Sequence, residues 1–314
     1  MPLDPQAQAY LDMLASAGNP PQHTMSVEDA RAGFLGPAAL AGEPPVVGSV
    51  EDREIPGPES QIPVRIYTPE GKGPFPLLVY FHGGGWVLGN LDAHDPVCRA
   101  LTNAAACITV SVDYRLAPEH KYPAAPEDCY AATRWVAGNA SSFNGDTTCI
   151  AVGGDSAGGN LAAVVTLIAR DRGGPKLMYQ LMIYPVTNYS FDTPSYRENA
   201  EGYALTKDDM VWFWNHYLPG EDDGKHPYAS PLQAQDLSNL PPALVITAEY
   251  DPLRDEGEQY AARLQEAGNH VTVRRYNGMI HGFFGKGAMM DQGRQAIEDA
   301  AAYLRSAFGS VQKG

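Results

Sequence analysis

Cysteine, basic charge and long apolar runs are all scarce in this sequence, and each scarcity excludes something. Its four cysteines, Cys98, Cys107, Cys129 and Cys149, form no C-x-x-C pair and have no histidine at zinc-finger spacing. Neither a disulfide framework nor a structural zinc site is therefore expected, and all four read as small buried hydrophobes. Only 22 Lys and Arg stand against 37 Asp and Glu, a net charge of −15 with no compact basic block. Such a surface repels a phosphate backbone, so nucleic acid is not an expected partner. The longest purely apolar runs, such as 77–81, fall far short of the roughly 20 residues that cross a bilayer, so no membrane span is expected. The start, Met1-Pro2-Leu3-Asp4-Pro5, has neither the basic region nor the apolar stretch of a secretory signal, which makes the cytoplasm the expected location. No repeat with a period of roughly 20 to 50 residues stands out.

What remains is a 314-residue chain, 44% hydrophobic and 19% charged, long enough to bury a deep core as one large domain. From about residue 46 onward, short β-rich runs at 64–67, 77–81, 108–112, 149–152, 181–184, 243–247 and 271–276 are interleaved with helical segments at 123–138, 156–172, 253–268 and 292–308. Several of the runs are continuously apolar, as strands covered on both faces must be. The pattern predicts an α/β fold with a mostly parallel twisted sheet and helices on both faces. Two segments fall outside the alternation. Residues 1–45 carry helical stretches broken by Asn19-Pro20-Pro21, and residues 188–230 concentrate Tyr189, Phe191, Tyr196, Tyr203, Trp212, Phe213, Trp214 and Tyr217. Both are expected to form a helical cap over the sheet's active edge, leaving 46–187 and 231–314 as the core of a single domain.

The strand at 149–152 runs into Gly154-Asp155-Ser156-Ala157-Gly158 and then a helix. A G-x-S-x-G at a strand-to-helix turn forces its serine into a strained backbone and lifts the hydroxyl above the sheet, which marks Ser156 as a nucleophile. The strand at 77–81 ends in His82-Gly83-Gly84-Gly85-Trp86. Consecutive glycines clear side chains from a loop so that its N–H groups converge on one point. Gly83, Gly84 and Ala157 are the expected donors to an oxyanion. The loop matches neither a phosphate-binding loop ending in Gly-Lys-Ser/Thr nor a G-x-G-x-x-G dinucleotide turn.

A serine nucleophile requires a base, and the base an acid that orients it. In the order Ser, Asp, His, both partners follow Ser156. Asp251 stands at the carboxyl end of the strand at 243–247, with Glu249 and Asp255 as competitors. Only His270 and His281 come after it, and His270 enters a strand, so His281 is the candidate base, placed in a loop beyond the last strand. Trp86, Val87, Leu88, His94, Asp155, Tyr184, Tyr189 and Phe213 are candidates for an apolar substrate pocket.

Taken together, His82 to Trp86, the segments Asp113-Tyr114-Arg115-Leu116-Ala117-Pro118-Glu119 and Tyr122-Pro123-Ala124-Ala125, the serine turn, Asp251-Pro252-Leu253-Arg254-Asp255-Glu256-Gly257 and His281-Gly282-Phe283 closely resemble the α/β-hydrolase superfamily. Within it, the match is to the bacterial hormone-sensitive-lipase-like (family IV) carboxylesterases. The resemblance implies the α/β-hydrolase fold, a cap built from the N-terminus and the insertion after about residue 188, and hydrolysis of esters of short to medium acyl chains. It also implies no cofactor and frequent dimers joined through the last strand and its helix. Arg115 is expected to be structural, paired with a carboxylate. An amidase, arylformamidase or deacetylase using the same triad, and a non-catalytic receptor on the same scaffold, are the alternative readings.

Overall fold

The computed structural model describes residues 1–34, 38 and 42–309. In chain order the elements are α1 (Pro5–Ala17), α2 (Val27–Gly33), β1 (Ser49–Pro56), β2 (Gln61–Thr68), β3 (Phe75–Phe81), α3 (Leu91–Ala105), β4 (Ile108–Val112), α4 (Ala124–Asn139), β5 (Gly145–Asp155), α5 (Ala157–Asp171), β6 (Tyr179–Ile183), α6 (Pro194–Glu198), α7 (Lys207–Tyr217), β7 (Ala243–Tyr250), α8 (Arg254–Glu266), β8 (Val271–Ile280) and α9 (Asp291–Gly309). They form one eight-stranded sheet in the order β1-β2-β4-β3-β5-β6-β7-β8, parallel from β4 to β8 and antiparallel at the β1-β2-β4 end.

Alternate residues of β3 show how the layers form. Leu77, Val79 and Phe81 enter the core shared with α4 and α5, and Leu78 and Tyr80 enter the core shared with α1, α3 and α9. A further apolar cluster joins α5 and α8 over Met182 and Val245. Successive side chains of a strand point to opposite faces, so a sheet covered by helices on both sides demands the continuous apolar runs seen in the sequence.

All seven expected strands are present. Two elements went unread in the sequence. Strand β1, SVEDREIP, is exposed at nearly every position and pairs only with β2, so it carries no apolar period to detect. Helix α3 contains Pro96, which reads as a break, although Asn90 caps its start and Val97, Cys98, Leu101 and Ala105 form a buried face. Strand β8 also runs further than expected, to Ile280, so His281 follows directly on the strand rather than sitting within a loop beyond it. Of the expected cap and core segments, residues 35–37, 39–41 and 310–314 lie outside the described residues.

The topology brings two loops together. The chain leaves β3 toward β4 on one side and leaves β5 toward β6 on the other, and β3 and β5 are paired with Phe81 opposite Gly154. The carboxyl ends of such divergent neighbours open a crevice. Here that crevice receives the glycine loop and Ser156 side by side.

Candidate active site

Ser156 joins β5 to α5 with φ 57° and ψ −118°, a region that L-residues avoid unless the surroundings enforce it. They do so here. Its N–H donates to the Ile183 carbonyl at 2.8 Å, and its carbonyl accepts from Asn160 at 3.0 Å and Val186 at 3.3 Å. The turn is too tight for side chains on either flank: a Cβ at Gly158 would lie 1.9 Å from the Phe81 carbonyl oxygen, and one at Gly154 2.5 Å from Gly158. These contacts explain why glycines occupy both positions of the motif.

The hydroxyl so presented meets His281. Nε2 of His281 lies 3.0 Å from Ser156 Oγ, and Nδ1 lies 2.7 Å from Asp251 Oδ2. A carboxylate only accepts, so Nδ1 carries the proton and Nε2 is left as the acceptor facing the serine. Asp251 is fully buried. Its other oxygen accepts from Leu253 N–H at 2.9 Å, and its carbonyl from the Asn199 amide at 3.2 Å. The rival acids are engaged elsewhere. Glu249 accepts from Gly278 N–H at 2.7 Å and from the N-terminal ammonium at 2.5 Å, and Asp255 accepts from Ser195 N–H at 2.7 Å. The Tyr184 ring packs against the His281 imidazole, 4.5 Å away.

The glycine loop departs from expectation at one position. The N–H of Gly83 donates to Asp155 Oδ1 at 3.0 Å, so it is already committed and not free to meet a substrate. Gly84 and Gly85 both have positive φ, 120° and 60°, and the carbonyl of Gly84 accepts from Val87 and Leu88 in a tight turn. Among the described residues, the N–H groups of Gly84, Gly85 and Ala157 meet no acceptor. The free donors are thus shifted one residue along the loop, because the first glycine anchors it.

The profile of a family described as the alpha/beta hydrolase fold matches residues 78–285. The chain belongs to that family. This α/β hydrolase is 49% identical over 246 residues to the carboxylic ester hydrolase LipN of Mycobacterium tuberculosis, covering 76% of this chain and 65% of LipN. It is 46% identical over 253 residues to the carboxylesterase NlhH of the same organism, covering 79% of each. Among solved structures, the hyperthermophilic esterase of the archaeon Pyrobaculum calidifontis is similar at 48% identity with a TM-score of 0.93, covering 98% of this chain and 99% of that one.

The expected pocket residues of this α/β hydrolase separate into three groups. Trp86, Val87 and Leu88 turn inward: all are buried in the core, with the Trp86 ring stacked on Tyr217 at 4.1 Å and beside Trp214 at 4.7 Å. His94 and Asp155 are also buried, and they interact with each other, His94 Nε2 lying 3.5 Å from Asp155 Oδ1. Both belong to a polar network under the loop that spacing alone does not reveal. Phe213, Tyr184 and Tyr189 come nearest to expectation. A Cβ on Gly85 would lie 2.1 Å from Phe213, so that ring covers the glycine loop, and Tyr189 packs edge-on against Trp214.

Three further features were not foreseen. His82 is buried and stacked on Tyr114 at 4.3 Å, and burial pulls its pKa down to about 3, which keeps it neutral. Glu256 is buried near Asp251 and accepts from Thr187 and Asn188 N–H groups. A cavity of about 480 Å³ opens beyond the glycine loop, lined by Arg31, Phe34, Asn90, Asp113, Arg115 and His120 among others, and neither Ser156 nor His281 lines it. Arg115, expected to pair with a carboxylate, does so with the buried Asp128 through two bonds of 2.8 Å and also meets Glu59.

Proposed function

We propose that this α/β hydrolase is a serine carboxylesterase that cleaves short- to medium-chain carboxylic esters through an acyl-enzyme. The observation that carries the reading is the placement of His281 between Ser156 and Asp251, at 3.0 Å and 2.7 Å. Esterase names borne by relatives 46–49% identical to the chain support the same class of reaction.

His281 Nε2 takes the Ser156 proton as Oγ attacks the ester carbonyl, and Asp251 stabilises the imidazolium and holds its orientation. The carbonyl oxygen becomes an oxyanion received by the N–H groups of Gly84, Gly85 and Ala157, with Gly85 taking the part first given to Gly83. Helix α5 adds its positive end. The imidazolium then protonates the departing alkoxide, leaving the acyl group on Ser156. Water, deprotonated by His281, attacks that ester and releases the acid and the free serine. Every proton in this cycle moves through His281.

The segments 1–45 and 188–230 act together as a cap: Phe213 of α7 lies on the glycine loop, and Arg31 of α2 donates to the carbonyls of Val87 and Ala117 at 2.9 Å each. A dimer would form through β8 and α9, a reading supported by the position of β8 at the sheet edge and by its exposed Val273. The chemistry is tested with p-nitrophenyl esters from acetate to palmitate, using wild type beside Ser156→Ala. Turnover peaking at short to medium chains and lost in the variant is expected. An inactive wild type, or an equally active variant, would overturn the reading and turn attention to amides with the same triad.

A further inference from the structure

Lys286 lies five residues after His281 and is 91% shielded from solvent by its surroundings, with a relative exposure of 9%. Buried lysines are rare unless paired, yet among the described residues no carboxylate forms an ion pair with it. Its Nζ has one hydrogen bond, to the Gly282 carbonyl at 2.7 Å. On its other side the ammonium stands 5.1 Å from the centre of the Tyr10 ring, which belongs to α1. Its own carbonyl accepts from Met289 and Met290 N–H groups at 3.0 and 2.8 Å, fixing the backbone that carries it. The turn it holds is special: Gly282 has φ 78°, and a Cβ there would lie 2.8 Å from Nζ. Helix α1 is in turn moored to the same strand end, Asp4 N–H donating to the Gly278 carbonyl at 3.0 Å.

We infer that Lys286 is a positioning residue for His281: resting on the Tyr10 ring, its ammonium clamps the Gly282 carbonyl and fixes the turn that presents the imidazole. The inference rests on the reading of His281 as the base. A cation held over an aromatic face is stabilised there. His281 faces Asp251, Ser156 and Tyr184. Lys286 faces Tyr10 from α1 and feels Asp155 from the end of β5, while Asp291 and Arg294 of α9 pair with each other. Burial lowers the Lys286 pKa to about 8 and Asp155 opposes the shift, so the side chain remains mostly charged at neutral pH.

The test measures kcat and KM for p-nitrophenyl butyrate as a function of pH in Lys286→Met, Lys286→Gln, Lys286→Arg and His281→Ala, with thermal melts of each. The methionine variant loses donor and charge, glutamine keeps a donor alone, and arginine keeps both. The arginine and glutamine variants, which keep a donor, should retain most of the wild-type kcat. Plateau kcat should fall roughly tenfold in the methionine variant with little change in KM, as expected when a base is displaced slightly. A merely structural lysine would lower the melting temperature without lowering the kcat of the folded fraction. A folded methionine variant with wild-type kcat overturns the inference; if that variant does not fold, a roughly tenfold loss of kcat in the arginine variant, which keeps the donor, overturns it. Wild-type turnover in His281→Ala would instead overturn the reading of the base, and this inference with it.

Discussion

The N–H of Gly83 donates to Asp155 Oδ1 across 3.0 Å, tying the first glycine after β3 to the residue that precedes Ser156. The same oxygen accepts from the Tyr80 hydroxyl at 2.7 Å and lies 3.5 Å from His94 Nε2. One buried carboxylate therefore sets the distance between the glycine loop and Ser156. Burial by itself raises the Asp155 pKa, but His94 and the Tyr80 hydroxyl outweigh it and bring the group down to about 2.

Asp155→Ala should release the loop and lower kcat by on the order of a hundredfold, the usual cost of a misplaced oxyanion donor. Asp155→Asn retains an acceptor oxygen and should lose much less. Steady-state kinetics on one ester distinguishes the two. Because the folded pKa lies below the ordinary value of 3.8, the stability supplied by the charged form is complete above about pH 4 and is lost as pH falls toward 2. Acid unfolding of Asp155→Asn should lack that component.

Phe213 should limit the acyl chain. Its ring occupies the space over Gly85, one of the donors proposed for the oxyanion. Phe213→Ala is expected to move the maximum of kcat/KM toward longer p-nitrophenyl esters. An identical chain-length profile would place the pocket elsewhere.

Glu256 should make the protein less stable as pH rises. Its burial, with the Asp251 charge adding to it, holds the carboxyl well above the ordinary value of 4.5. The folded state therefore keeps a proton that the unfolded state releases, and stability falls with pH from about 4.5 up to the folded value, by up to about 1.4 kcal/mol per pH unit. Glu256→Gln preserves the acceptor for Thr187 and Asn188 and should remove this slope. Denaturant midpoints measured at several pH values check it.

Asp128 should matter for stability and not for turnover. It is fully buried and receives Arg115 through Nε, Nη2 and the backbone N–H. Asp128→Ala strands part of a guanidinium and should cost about 3 to 5 kcal/mol in chemical unfolding. The kcat of the folded fraction should be unchanged.

Much of the fold was legible because the physics acts locally. Parallel strands buried on both faces must be continuously apolar, and β3, β4, β5, β6 and β7 could be read for that reason. Strand β1 could not, since it is solvated and held only by pairing with β2, and α3 was hidden by a proline that its other contacts tolerate.

The sequence alone determined which residues are available for the chemistry. A serine between glycines at a strand-to-helix turn, a run of three glycines after a strand, and two later histidines narrow the candidates to a few, because backbone strain and steric clearance leave few residue types possible. Tertiary structure decided the partnerships. It gave His281 to Asp251 rather than Glu249 or Asp255, engaged Gly83 with Asp155, turned Trp86 into the core, and set Lys286 against Tyr10, from opposite ends of the chain. Such choices depend on distances of about 3 Å between segments far apart in sequence, which strand pairing and core packing establish and residue spacing does not encode.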